Sequence, residues 1–486
     1  STLFENADVC LMALPPGLFY VQAPFFALFP AGYATARLPL FIAALATIAV
    51  VFWVVKRLGG SDPAAAAASL LVSLSRPLLF TGLTVRPDLL SALAGWLGVI
   101  AAWQLLRTNR DEYTHPTQRT AAPKSHNGQS VKLALASGAL TGLAGLFHPF
   151  ALVFAIQGGV AMLMAGKTVK EKVTQSCVFV CGNLMSIGLW VPLIVAYPYE
   201  FRSQFFANVL DRAGPGLPAR LIWPFPSLIH HARLLYEFAG PFQCALMVAG
   251  FLVGSFLLWR ANSIAPWERK AMIVLVWSSV YLTATVAGMH PTKGYWMYPF
   301  LWIVTIAVVA VDRWLKRVEE SATKLPRWAT GSIASFAFAI ALLMMLPGAG
   351  LRTTWIYLTH WKQSSVYAPR FIEQVLDDLP TDGVYYVDLS YVFDVYLSGR
   401  ETRLCQERHQ YWGDQPLDYR YLLLSWEGDD ANWADQYDGY HVKRIGDRSV
   451  PQNCFVDLYR PRNGIGFRPE THATDKSPVN HPPSDE

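Results

Sequence analysis

The sequence predicts an α-helical polytopic membrane protein with a small α/β domain near its C-terminal end. Of the 486 residues, 53% are hydrophobic and only 15% are charged. The apolar residues gather in stretches of about 20, the length of an α-helix that crosses a bilayer. After about residue 350, short segments of helical and strand character replace this pattern. The net charge of +5 does not indicate nucleic-acid binding, because Lys and Arg form no basic stripe or known binding motif.

Hydropathy predicts ten membrane spans within a transmembrane domain of residues 36–349. Most Lys and Arg residues between the spans fall in alternate loops, and the positive-inside rule places those loops in the cytoplasm. Both ends of the chain are therefore predicted to face outward from the cell membrane. The predicted spans are residues 36–56, 63–83, 88–106, 133–147, 149–166, 176–196, 239–259, 270–289, 296–315 and 328–346.

Residues 1–35 are predicted to form the first outer loop. Within it, an apolar and aromatic stretch is interrupted by Pro15, Pro16, Pro24 and Pro30, so its pieces are too short to cross a membrane. An interfacial helix on the outer face fits this composition better. The chain starts without Met or a signal peptide, so we expect a further N-terminal segment that contains a first span.

Residues 350–462 are predicted to form an extracytoplasmic α/β domain. Apolar residues at helical spacing predict a helix over residues 367–379. An oxidising compartment would allow Cys405 and Cys454 of this domain to form a disulfide. Residues 463–486 are polar and rich in Pro, Ser, His and Asp, which is typical of a disordered tail. Runs rich in Val, Tyr, Leu and Phe predict strands at residues 383–389, 419–426 and 454–460.

One predicted outer turn places charge between two almost wholly apolar runs, in LLFTGLTVRPDLLSALAGWLG. A charge near the hydrocarbon edge costs up to about 3 kcal/mol unless it snorkels or forms an ion pair. Asp88 at a helix start gains roughly 0.3 to 1 kcal/mol from the helix dipole, and Pro87 suits the first turn. Arg86, Pro87 and Asp88 therefore fit a structural helix start as well as a functional site.

Three motifs follow one another over residues 13–98. They are a double proline followed by an aromatic residue in ALPPGLFY, an Ala-Arg-Leu-Pro helix start in ATARLPL, and Arg-Pro-Asp before a later span in LTVRPDLL. Together with GLAGLFHPFALVF and HPTKGYWMYPFLW further on, this ordered set resembles glycosyltransferase family 39, a group of GT-C fold membrane enzymes. That family includes relatives of the protein O-mannosyltransferases and of the lipid A aminoarabinose transferase. The resemblance implies a GT-C fold and transfer of a sugar from a polyprenyl phosphate to a glycan, lipid or protein acceptor on the outer face.

The resemblance also implies roles for acidic residues. In the family, a carboxylate of the first outer loop acts as general base on the acceptor hydroxyl. Glu5 and Asp8 are the acids of this loop, although their spacing to the double proline departs from the family pattern, and the base is also expected upstream of Ser1. Asp88 matches the second acidic position, which holds a divalent metal ion or orients an active-site group. Ala13 and Leu14 stand where the lipid A enzyme has an acidic and a basic residue, which puts that sugar and acceptor in doubt.

The leaving phosphate needs cations and hydrogen-bond donors, because it gains negative charge during transfer. For Lys293 the alternative is an ordinary snorkelling side chain, and for the two histidines it is a capping or interfacial role. Three arginines of the long outer loop could also clamp a lipid headgroup, namely Arg202, Arg212 and Arg220. The candidates for binding the donor phosphate are Arg86, Lys293, Tyr295, Tyr298, His148 and His290.

Two other function classes remain open. A non-catalytic membrane scaffold or receptor would explain the outward domain without using the charges of the outer turn. A transporter of lipid-linked substrates would also place charge in apolar surroundings. Transporters usually show inverted repeats or helices broken at the midplane, whereas the conspicuous charges here gather at one face.

Overall fold

A computed structural model describes residues 10–114, 126–209, 214–261, 264–290, 293–321 and 358–462, except 361, 409–411, 413–416, 427, 429–431 and 451–452. The chain divides into two compact units, residues 1–360 and 361–486. The first unit is helical in its described part, and the second contains a five-stranded sheet. A helical unit followed by a unit with a sheet agrees with the predicted fold class.

The first unit contains fifteen described α-helices and several single turns of other helix types. The turns are Pro149–Ala151, Gly188–Trp190 and Gly294–Trp296, which are 3₁₀, and Phe201–Phe205, which is π-helical. The helices are α1 Gly17–Leu28, α2 Tyr33–Arg57, α3 Asp62–Ser73, α4 Arg76–Leu83, α5 Asp88–Thr114, α6 His126–Phe147, α7 Leu152–Ala165, α8 Val169–Ile187, α9 Val191–Ala196, α10 Pro198–Glu200, α11 Phe206–Val209, α12 Leu217–Ile222, α13 Phe225–Trp259, α14 Pro266–Ala287 and α15 Met297–Ser321.

Seven segments of the described chain are long and apolar enough to cross a membrane, or eight if the bent pair α3 and α4 is one span. The seven are α2, α5, α6, α8 with α9, α13, α14 and α15, and each contains a predicted span or all but one or two of its residues. The chain is therefore a multi-pass membrane protein. The predicted span at residues 328–346 lies outside the described residues. Helix α1 has 12 residues despite Pro24, which is too short for a span.

The structure corrects two of the predicted spans. Residues 63–83 form two helices bent by 57° instead of one. The bend lies at Ser75, whose hydroxyl caps α4 by accepting from the Leu78 N–H, and Pro77 follows in the first turn. Residues 149–166 form a 3₁₀ turn and the 14-residue helix α7, which is shorter than a full span.

Helices α6 and α8 pack with their backbones in close contact because glycines line their interface. A Cβ at Gly138 would lie 2.0 Å from the Phe179 carbonyl oxygen, and one at Gly142 would lie 2.3 Å from that of Asn183. On α8, a Cβ at Gly182 would lie 2.6 Å from the Leu135 carbonyl oxygen. Small residues four apart allow this approach in membrane helices. The end of α6 is thereby held in place, and His148 follows it directly.

The second unit is a three-layer α/β domain. Its sheet has the order β2-β1-β3-β5-β4; β1 pairs in parallel with β2 and β3, whereas β5 pairs antiparallel with β3 and β4. Apolar residues of α16 and α17 pack on one face, and Trp433 of α18 packs on the other. The elements are α16 Ala368–Asp377, β1 Val384–Val387, α17 Val392–Leu397, β2 Glu401–Leu404, β3 Tyr421–Leu424, α18 Trp433–Gln436, β4 Gly439–Gly446 and β5 Phe455–Pro461.

The predicted helix and the three predicted strands correspond to α16, β1, β3 and β5, whereas β2 and β4 were not predicted. Both missed strands lie at the edges of the sheet. Their sequences, ETRL and GYHVKRIG, are largely polar because one side of an edge strand faces solvent. A search for apolar runs detects only the central strands. The predicted tail at residues 463–486 lies outside the described residues.

The predicted disulfide between Cys405 and Cys454 is wrong, since both are free thiols. Cys405 packs with Tyr386 and Tyr437 on one face of the sheet, whereas Cys454 packs in the apolar cluster on the opposite face. Side chains on opposite faces of a sheet cannot reach the geometry of a disulfide. Burial raises the pKa of both thiols, most strongly that of Cys405.

We expect Cys405 to resist alkylation in the folded protein. Its side chain is fully buried, and its raised pKa keeps the thiol neutral at pH 8, whereas the thiolate is the reactive form. In a variant with Cys405 as the single cysteine, maleimide should react only after denaturation. Glu401→Cys in a cysteine-free background provides an exposed control at the start of β2, the strand that directly precedes Cys405. Equal labelling rates of the two native proteins would contradict the buried placement.

Candidate active site

The candidate site is built around the first residue of α5. Asp88 is fully buried, and its Oδ2 accepts a hydrogen bond of 2.8 Å from Nε of Arg86. The Oδ1 atom of Asp88 has no hydrogen-bond partner within the described part of the chain. The side chain of Arg86 is 36% exposed, so its guanidinium group reaches from the buried carboxylate to the surface. The ion pair therefore fixes the position of an accessible cation.

Gly294 packs directly against the carboxyl group of Asp88. A Cβ at this position would lie 2.6 Å from Cγ of Asp88 and within 2.8 Å of both carboxylate oxygens. No side chain fits there without moving Asp88. Gly294 begins the 3₁₀ turn that precedes α15, and Tyr295 follows it in the same turn. Close contact at Gly294 thus brings Tyr295 next to the start of α5.

Tyr295 is the centre of a group of aromatic and imidazole rings. It stacks on Phe150 with a centroid distance of 4.3 Å, and His148 and His290 lie 5.4 and 5.9 Å from it. The Nδ1 atom of His148 accepts a hydrogen bond of 3.1 Å from the Phe150 N–H. This network assigns the proton of the neutral ring to Nε2. His148 therefore retains an N–H donor, and it lies within electrostatic range of Asp88.

A cavity of about 670 Å³ lies beside these residues. Its volume is in the range of small-molecule and cofactor sites. Arg220 is buried and donates to the carbonyl oxygens of Thr285 at 2.7 Å and Pro215 at 2.6 Å. The polar lining residues that matter for charge and hydrogen bonding are Arg86, His148, Asn208, Arg220, His290 and Tyr295.

The chain near the double proline is held at this cavity by two amide side chains. Gln204 accepts from the Met12 N–H at 2.7 Å and donates to the Cys10 carbonyl oxygen at 3.0 Å. Asn208 donates to the Ala13 carbonyl oxygen at 2.9 Å. Leu11, Ala13 and Leu14 consequently contribute to the cavity lining. Neither amide was predicted as a site residue, although two polar residues four apart in an aromatic helical segment lie on one helix face and are a detectable signal.

The other predicted site residues occupy different positions. Lys293 is exposed and is not among the described residues that line the cavity. Tyr298 is buried behind Phe150, with the two ring centroids 4.6 Å apart. Arg202 is exposed and does not line the cavity. Glu5, Asp8 and Arg212 lie outside the described residues, so their placement stays a prediction.

The described residues do not form a site for the predicted divalent metal ion. No group of three His, Cys, Asp or Glu side chains in the described part of the chain could hold a metal. Asp88 contributes one carboxylate, and it already pairs with Arg86. Divalent cations such as Mg²⁺ and Ca²⁺ prefer several oxygen ligands. Within the described residues, Asp88 alone does not provide the ligand set that such an ion needs.

No protein-family model matches the sequence, and no curated protein matches it. The structure is similar to the crystal structure of ArnT from Cupriavidus metallidurans bound to undecaprenyl phosphate, with a TM-score of 0.54 and 15% identity. The match covers 92% of this chain and 88% of that chain. The chain has the GT-C fold. This finding confirms the fold that the motif resemblance implied.

A second similar structure is the archaeal oligosaccharyltransferase AglB from Archaeoglobus fulgidus, in complex with an inhibitory peptide and a dolichol-phosphate. It has a TM-score of 0.44 and 12% identity, and the match covers 92% of this chain. The chain spans 66% of the length of that oligosaccharyltransferase.

We expect Gly294→Ala to disrupt the site and destabilise the protein. The new methyl group would overlap the Asp88 carboxyl group, and overpacking of this kind typically costs about 1 to 3 kcal/mol. Thermal unfolding of the purified protein in detergent measures the effect. Gly188→Ala is the control, because a Cβ there meets no atom within 4 Å. A Gly294→Ala protein as stable as the Gly188→Ala protein would contradict the close packing.

Proposed function

We propose that this chain is an integral membrane glycosyltransferase that transfers a sugar from a polyprenyl-phosphate donor to an acceptor on the outer face of the cell membrane. The supporting observation is the cavity in which Arg86, anchored by buried Asp88, meets His148, His290 and Tyr295. The similarity in fold to ArnT, whose structure contains undecaprenyl phosphate, supports the class of donor. The sugar and the acceptor remain to be identified.

The lining of the cavity favours a phosphate attached to a lipid chain. Arg86 and Arg220 supply positive charge, and His148 supplies an N–H donor. Beside them lie the apolar side chains of Leu14, Phe150, Leu152, Leu217 and Val286. A soluble sugar phosphate has no apolar group to cover this surface. The first isoprene units of a polyprenyl phosphate would bury it, which favours binding.

The proposed reaction is a substitution at the anomeric carbon of the sugar. The acceptor oxygen forms a bond to this carbon while the bond from the carbon to the phosphate oxygen breaks. The phosphate keeps the electron pair and leaves as polyprenyl phosphate, and the acceptor proton passes to a carboxylate base. Glu5 and Asp8 are the candidates for this base within the chain.

The cations stabilise the charge that the leaving phosphate gains. A fixed charge in a partly desolvated cavity acts more strongly than the same charge in water, and it needs no reorganisation during the reaction. Asp88 acts as a positioning residue in this scheme, because it holds the Arg86 guanidinium group from the buried side. The Nε2–H of His148 can donate to another phosphate oxygen.

We expect Asp88→Asn to lower sugar transfer by about 10²-fold or more while the protein stays folded. The amide keeps the shape of the side chain but removes the charge that orients Arg86. Transfer should be measured in vesicles with a panel of radiolabelled undecaprenyl-phosphate sugars. Asp62→Asn is the matched control, since Asp62 also starts a helix of this unit but its side chain is 75% exposed. Wild-type transfer by a folded Asp88→Asn protein would exclude a role for the ion pair.

The same assay tests the general base. General base catalysis contributes typically 10² to 10⁴ in rate, so either Glu5→Gln or Asp8→Asn should lower transfer by about that factor. Binding of undecaprenyl phosphate should be unchanged in the affected variant, because the base contacts the acceptor. If both variants transfer sugar at the wild-type rate, neither residue is the base. If the wild-type chain binds the lipid phosphate but transfers no sugar, the assay is repeated on the chain extended upstream of Ser1, where the base is also expected. Lipid binding without sugar transfer by the extended chain would favour a non-catalytic binding protein.

A further inference from the structure

A second cavity, of about 490 Å³, lies at the other end of the helical bundle. Helix α5 begins at Asp88 and lines this cavity with Ile100, Gln104 and Thr108. At a rise of 1.5 Å per residue, these positions lie about 18 to 30 Å along the helix axis from Asp88. The two cavities share no lining residue. The second cavity is therefore a separate site and plays no part in the proposed transfer reaction.

Two arginines stand at the rim of this cavity. Arg57, the last residue of α2, and Arg107 of α5 are both exposed, and Nη1 of Arg107 donates to the Arg57 carbonyl oxygen at 3.3 Å. Arg57 forms no ion pair with a carboxylate of the described residues, and its guanidinium group lies 5.3 Å from the ring centroid of Trp53. Three neutral polar residues complete the rim, namely Gln104, Thr108 and Gln129. The rim thus carries positive charge and hydrogen-bonding groups.

The floor of the cavity is apolar and aromatic. Met272 and Leu275 of α14 and Trp302 of α15 are all buried there. The floor therefore suits the apolar chain of a ligand whose charged head lies at the rim.

We propose that this cavity binds an anionic phospholipid from the membrane leaflet at this end of the bundle. Its phosphate would interact with Arg57 and Arg107, and the first part of an acyl chain would pack on the floor. A soluble anion would not cover the apolar floor, and a neutral apolar molecule would form no ionic interaction with the arginines. Basic pockets between membrane helices bind anionic lipid headgroups in this way. The proposal requires the chain to be a membrane protein but does not depend on glycosyl transfer.

Native mass spectrometry of the full chain, with phosphatidylglycerol or phosphatidylcholine added in detergent, tests this site. The wild-type protein should retain phosphatidylglycerol in preference to phosphatidylcholine. The double variant Arg57→Gln/Arg107→Gln should lower phosphatidylglycerol retention by about tenfold or more, because each cation near a lipid surface contributes about 1 kcal/mol. The matched control is Lys167→Gln/Lys170→Gln, which removes two exposed charges from the loop and helix start after α7, away from the cavity.

A second variant tests the apolar floor at constant charge. Leu133→Trp places a larger side chain at a half-buried lining position and should also lower phosphatidylglycerol retention. An excess of inorganic phosphate should not displace the bound lipid. Displacement by phosphate would show an ion site only and would overturn the proposal. Equal retention of the two lipids, or an equal loss in the lysine control, would overturn it as well.

Discussion

The ion pair between Arg86 and Asp88 is the interaction on which the rest of the candidate site depends. Asp88 is a fully buried carboxylate at the start of a membrane-spanning helix. Burial of such a charge has a high free-energy cost unless a cation pairs with it. The start of α5 contributes favourably, because the helix dipole stabilises negative charge there. Gly294 then covers the carboxyl group, and this contact sets the position of Tyr295. The ion pair thereby determines how the connection between α14 and α15 packs against the start of α5.

Residues of the segment 11–14 and of the short helices α11 and α12 line the same cavity. Gln204 and Asn208 bind the backbone of residues 10–13 through hydrogen bonds, so an otherwise unpaired segment is ordered without a helix or strand. Segments of this kind form binding surfaces because their side chains are not committed to regular packing. Two backbone carbonyl groups accept hydrogen bonds from Arg220 and fix its position in the cavity lining.

The two cavities, at opposite ends of the helical unit, have linings of similar chemical composition. Each combines arginine side chains with an apolar lining, which suits an amphiphile that carries a phosphate. They differ in how the cations are held. Arg86 is oriented by a buried carboxylate, whereas Arg57 lies over the ring of Trp53. Fixed orientation matters for stabilising a transition state, whereas retention of an anionic lipid needs positive charge near its headgroup.

The sequence by itself determined the membrane class, most of the spans and the helix start at Asp88. These features depend on composition and on neighbours within one turn, so hydropathy and helix-start chemistry predict them. Only the tertiary structure decided that His148, Tyr295 and Asn208 share one cavity, and that Cys405 and Cys454 lie on opposite faces of a sheet. Their relations depend on how distant segments pack, and a single sequence carries no periodic signal for contacts between residues far apart in the chain.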